Sequence, residues 1–119
     1  MTEALPILRR LLLQTGHRDE LLQRVAQAGV LDAAAEDALV DLTRAIDVRK
    51  KLDTQQDPLA LAAIFLLSAE QAGMRGDRPL ALKRLNTALK AQAMSAVPDQ
   101  PLHQALSSAL DRFCANAIP

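Results

Sequence analysis

Apolar residues recur along this chain at helical spacing, in six blocks separated by turn-forming residues. The first block predicts a helix from about Glu3 to Gln14, with Ala4, Leu5, Leu8, Leu11 and Leu12 on one face. Leu13 falls off that face. Gly16 offers a stop. A second helix is expected from an Asp19 N-cap to just before Gly29, with Leu21, Leu22, Val25 and Ala26 inward and Val30 packing back over the stop. The third, capped by Asp32, is expected to reach about Leu52 along Ala35, Leu39, Leu42 and Ile46. Its acids come first (Glu36, Asp37, Asp41) and its bases last (Arg49, Lys50, Lys51), the order that complements the helix dipole.

Thr54-Gln55-Gln56 reads as a linker, and Asp57-Pro58 as the start of a fourth helix. From Leu59 to Leu67 that helix has no polar side, so it belongs at the centre of the fold. Gly73 is expected to end it. Asp77 opens a fifth helix, with Ala81, Leu82, Leu85, Ala88, Leu89 and Gln92 inward and Lys83, Thr87 and Lys90 outward. Asp99 caps a sixth, with Leu102, Ala105, Leu106, Ala109 and Phe113 inward and Leu110 on the flank. Six helices with short connections predict an all-α domain of consecutive antiparallel αα-hairpins spanning residues 1–119, either a stack of helix pairs or an open bundle.

Composition sharpens this picture. Ala and Leu are 22 residues each, Trp and Tyr are absent, and Phe occurs twice. Strong helix formers dominate and strand formers are scarce, which excludes an all-β fold. With 119 residues, a core can form without disulfides or metal. The formal charge is zero, so no bulk field favours nucleic acid or an anionic membrane. The nine uncharged apolar residues from Leu59 to Leu67 are too few for a membrane span of about 20. Arg9 and Arg10 break the apolar start, which argues against a signal peptide. A lone Cys114 fits a reducing compartment, and ten Arg to four Lys fits a GC-rich bacterial source. The expected location is cytoplasmic.

Residues 62–95 resemble one tetratricopeptide repeat, a helix–turn–helix unit. The run Met74-Arg75-Gly76-Asp77-Arg78-Pro79-Leu80-Ala81-Leu82-Lys83-Arg84-Leu85-Asn86-Thr87-Ala88-Leu89 carries the match. Gly76-Asp77 forms the turn, Ala81 and Ala88 fill the small positions of the second helix, and Leu85 stands where the family prefers Phe. Phe65 and Ala69 fill the aromatic and small positions of the first helix. Ser68, Ala72 and Ala93 depart from the pattern. Residues 2–35 repeat only the Gly16 turn and Ala28, and Arg9 falls where a small residue belongs. The resemblance implies a concave surface presenting Ala63, Leu66, Glu70 and Met74 to a partner helix or peptide.

Little in the sequence points to catalysis. His17 and His103 are far apart and lack ligands at metal spacing. Cys114 has no histidine near it in sequence. The second helix of a DNA-binding helix-turn-helix at Gly29 would carry Glu36 and Asp37 toward phosphates, which disfavours it strongly. The basic run Arg75, Arg78, Lys83, Arg84, Lys90 reads as a solvated face or a docking site for an acidic partner. No catalytic residue, metal site or cofactor is expected. The expected role is a non-enzymatic adaptor or chaperone. The alternative is a homo-oligomer joined through Leu13, Val48, Leu80 and Met94.

Overall fold

The computed structural model describes residues 3–15, 20–47 and 57–115. They form six helices: α1 (Ala4–Thr15), α2 (Glu20–Ala28), α3 (Ala33–Asp47), α4 (Pro58–Met74), α5 (Arg78–Ala93) and α6 (Gln100–Ala115). There is no strand among the described residues. The fold class is therefore the all-α bundle that the periodicity predicts.

Four aspartates begin four helices as expected. Asp32, Asp57, Asp77 and Asp99 each accept a hydrogen bond from a first-turn amide, those of Ala35, Leu59, Leu80 and Leu102 at 2.8, 3.0, 3.2 and 3.0 Å. Each satisfies a donor that the helix cannot. Pro58 and Pro79 sit in first turns, where no N–H is needed. Asp19, the linker Thr54-Gln55-Gln56 and the last turns expected for the third helix lie outside the described residues.

α4 is the centre. Thirteen of its 17 residues are buried, including Phe65. It packs most extensively on α5, then on α1, and also meets α6 and α2. The order of packing differs from consecutive hairpins, because α1 meets α4 more broadly than it meets its neighbour α2. A helix apolar on every side needs covers from several directions, and no single sequence neighbour can provide them. The radius of gyration is 13.2 Å, against about 13.5 Å for a compact chain of this length.

Gly73 does not end α4. The helix continues to Met74, and the stop is Gly76 at φ 80°. The Asp77 amide donates to the Ala72 carbonyl at 2.9 Å and the Gly76 amide to the Gly73 carbonyl at 3.0 Å, which closes the end as a Schellman motif. Gly73 serves packing instead. A Cβ there would lie 2.7 Å from Cε1 of Phe113, so the absent side chain lets α6 approach. A Cβ on Gly76, by contrast, would meet nothing within 4 Å. Gly76→Ala is therefore expected to cost only the left-handed backbone penalty, about 1 kcal/mol. Urea denaturation checks it, and an unchanged midpoint would mean that the turn is built differently.

Three inward–outward assignments change. Val30 is exposed, and Leu31 packs on the core in its place. In α5, Thr87 and Arg84 are buried although both sit on the polar side of the expected stripe. α5 contacts α4, α6 and α3, so more than one face is covered. Arg84, only 5% exposed, reaches Glu36 of α3 at 3.5 Å and donates to Thr43 Oγ1 at 3.2 Å. Ser68 of α4 donates to the same Glu36 at 3.3 Å. This polar cluster links α3 to α4 and α5. Isolated, a buried cation would be costly, so the carboxylate and hydroxyl partners are required.

Candidate functional site

The concave stripe expected on α4 is not open. Ala63 and Leu66 are fully buried, Glu70 is buried, and of the four named positions only Met74 is exposed, at 69%. The physical reason is α1. Glu70 shares a face with Ala63 and Leu66 at helical spacing, and its carboxylate receives the amides at the start of α1. Oε2 accepts from Glu3 N at 2.8 Å and Oε1 from Ala4 N at 3.0 Å. A side chain of α4 thus acts as the N-cap of α1, satisfying two donors from outside that helix. Burial pushes the Glu70 carboxyl above its ordinary range, while the two amides and nearby Arg112 partly offset that shift. The face on which the sequence places a partner helix is therefore occupied by a helix of the same chain.

Two arginines of α1 hold it in place. Arg10 pairs bidentately with Asp99, Nη1 to Oδ1 at 3.0 Å and Nη2 to Oδ2 at 2.7 Å. The same aspartate caps α6. Hydrogen bonding from Arg10 holds the Asp99 carboxyl below its usual range and raises the guanidinium in turn. Arg9 donates from Nε to the Ala26 carbonyl at 2.8 Å. α2 carries no basic residue in its last turn, so Arg9 supplies from α1 the cation that the carbonyl end of α2 favours.

An open groove of about 300 Å³ lies beside this contact, between α1 and α2. Arg9, Leu12 and Leu13 line it from α1, and Gln23, Ala26 and Gln27 from α2. Leu12 is buried at its floor and Leu13 stands 85% exposed at its rim. The lining is mostly apolar, with two amides and one guanidinium. The groove escapes sequence reasoning because the helical period of α1 and of α2 marks only the inward face of each, whereas the groove is lined by both. The available signal was Leu13, a large apolar residue off the core stripe of its own helix.

The other expected residues are scattered. His103 is exposed and lies 3.3 Å from the Gln92 amide. His17 and the Cys114 side chain lie outside the described residues, as does Val48. Leu80 is half-buried and Met94 is 40% exposed. Arg75, Arg78, Lys83 and Lys90 remain at the surface, whereas Arg84 has left the basic run for the interior. Among the described residues no three His, Cys, Asp or Glu side chains gather as metal ligands, and no helix is long and apolar enough to cross a membrane. Compared with models of known protein families, with curated proteins and with solved structures, the chain matches none.

Proposed function

We propose that the chain is a non-enzymatic interaction module, an adaptor or chaperone, that receives a partner helix or peptide in the groove between α1 and α2. The observation that carries this reading is Leu13, a large apolar side chain exposed on the rim of a mostly apolar groove. An exposed leucine alone is ordinary, but one beside an apolar concavity gives a partner side chain both a floor and a wall. A tetratricopeptide-like build remains part of the proposal. Residues 62–95 fold as a tight helix–turn–helix, and Phe65, Ala69, Ala81 and Ala88 are fully buried, as such a unit requires. A bacterial, cytoplasmic setting is proposed from the arginine excess and the single cysteine.

The homo-oligomer is the second reading, favoured by the exposure of Met94 as well as Leu13. Light scattering after size exclusion, with Leu13→Asp as the variant, separates the two. The chain is expected to be monomeric at micromolar concentration. Leu13→Asp should lower stability by about 1 kcal/mol, since it leaves the core intact but sets an acid in the last turn of α1. It should also abolish retention of proteins that the native chain holds from its host. A dimer that survives dilution and is lost on Leu13→Asp would establish the second reading. Unchanged retention by the variant would remove the groove.

A further inference from the structure

We propose that the groove between α1 and α2 selects an acidic amphipathic helix, whose carboxylate pairs with Arg9 while an apolar side chain one turn away fills the cleft. This inference rests on the reading of the groove as a docking surface and adds the chemistry of its occupant. Arg9 uses Nε on the Ala26 carbonyl. Among the described residues no carboxylate pairs with it, and of Arg9, Arg10, Arg24 and Arg84 only Arg9 lines the groove. A guanidinium carries five N–H donors in a planar fork that matches a carboxylate, so donors remain for an incoming group. The hydrogen bond to Ala26 also holds the Arg9 side chain in one orientation against α2, which reduces the ordering cost of binding.

The size of the cleft sets the spacing. Arg9 and Leu13 are one helical turn apart, about 6 Å along the axis. A volume of about 300 Å³ is at the small end for a ligand pocket and suits one bulky side chain of a helix. The Gln27 amide can donate or accept, so it does not choose the sign of the partner. Arg9 does. Glu20, exposed in the first turn of α2, lies beyond the Gln23 end. The acid of the partner therefore belongs at the Arg9 end and the apolar anchor toward Leu13.

The test uses three synthetic helical peptides of about 16 residues, some four turns, with leucine and glutamate one turn apart. The glutamate is replaced by glutamine in the second and by lysine in the third. Binding to the full chain is read by fluorescence anisotropy, and the contact is mapped by amide shifts in ¹⁵N spectra. The glutamate peptide is expected to move the amides of Gln23, Ala26 and Gln27. Replacement by glutamine should weaken binding about tenfold, the order of one charge-assisted hydrogen bond, and lysine more. Arg9→Gln keeps a donor for Ala26 and should erase the difference between the first two peptides. Arg9→Lys should retain most of it. Equal binding of the glutamate and glutamine peptides at these amides would overturn the acidic selection and leave the groove standing. No binding of any peptide at millimolar concentration would overturn both.

Discussion

Leu66→Ala is expected to lower the stability of the chain by about 2–5 kcal/mol, the range for truncating a fully buried leucine. Leu66 is only 1% exposed, on the central helix and on the face that α1 covers at Glu70. The loss has two parts, the transfer of the removed carbons and the cavity left behind. α4 cannot collapse into that cavity easily, since Ala62, Ala63, Phe65 and Leu67 around it are buried as well. Leu13→Ala should change stability by less than about 0.5 kcal/mol. Urea denaturation of the two variants, with the slope checked for constancy, gives the contrast. If Leu66→Ala were as mild as Leu13→Ala, α1 would not be seated as described. The α4 stripe of Ala63, Leu66, Glu70 and Met74 would then be open to a partner after all.

Asp99→Ala should cost about 2–3 kcal/mol at neutral pH, the sum of two losses. Loss of an N-cap contributes about 1 kcal/mol. Loss of a charged hydrogen-bonded pair contributes about 1.5 kcal/mol, toward the low end because the Arg10 side chain is 34% exposed and screened by water. The cost should depend on pH with a defined sign. The folded state holds Asp99 below its ordinary value of 3.8. Its contribution is therefore present above that value and lost as pH falls through the folded value. Native and variant stabilities should converge in acid. Glu70 has the opposite sign. Its carboxyl is raised above 4.5 in the folded chain, so its contribution is present below that value and lost as pH rises through the folded value. Denaturation midpoints from about pH 2 to pH 7 check both. A gap between native and Asp99→Ala proteins that stayed constant into strong acid would exclude the ionised pair as its source.

Much of the architecture is legible in the sequence because helices announce themselves locally. An aspartate before an apolar run, a proline in the first turn and a helical period each depend on neighbouring residues only. That information places six helices and identifies α4 as central. It does not say which helices cover α4. The consecutive-hairpin expectation misplaces α1, whose seat is fixed by contacts far apart in sequence, Glu70 to Glu3 and Ala4. Arg84 fails for a related reason. Its burial depends on Glu36 and Thr43 arriving from another helix, and nothing within α5 marks it apart from Lys83. Ala72-Gly73-Met74-Arg75-Gly76 holds two glycines. Which of them takes the left-handed stop is set by the Gly76 conformation, and the need for Gly73 by Phe113 of α6. The groove is a property of two helices together, so neither α1 nor α2 shows it alone.

The position of α4 also constrains how the chain acquires its structure during synthesis. α1 through α3 emerge from the ribosome before α4 does, yet Leu8, Leu11, Leu22 and Leu39 share one core with it. At roughly 5–20 residues per second, α1 waits on the order of seconds for the residue that caps it. Until then its amphipathic face is an exposed apolar surface. Native structure becomes available only when the middle of the chain has emerged.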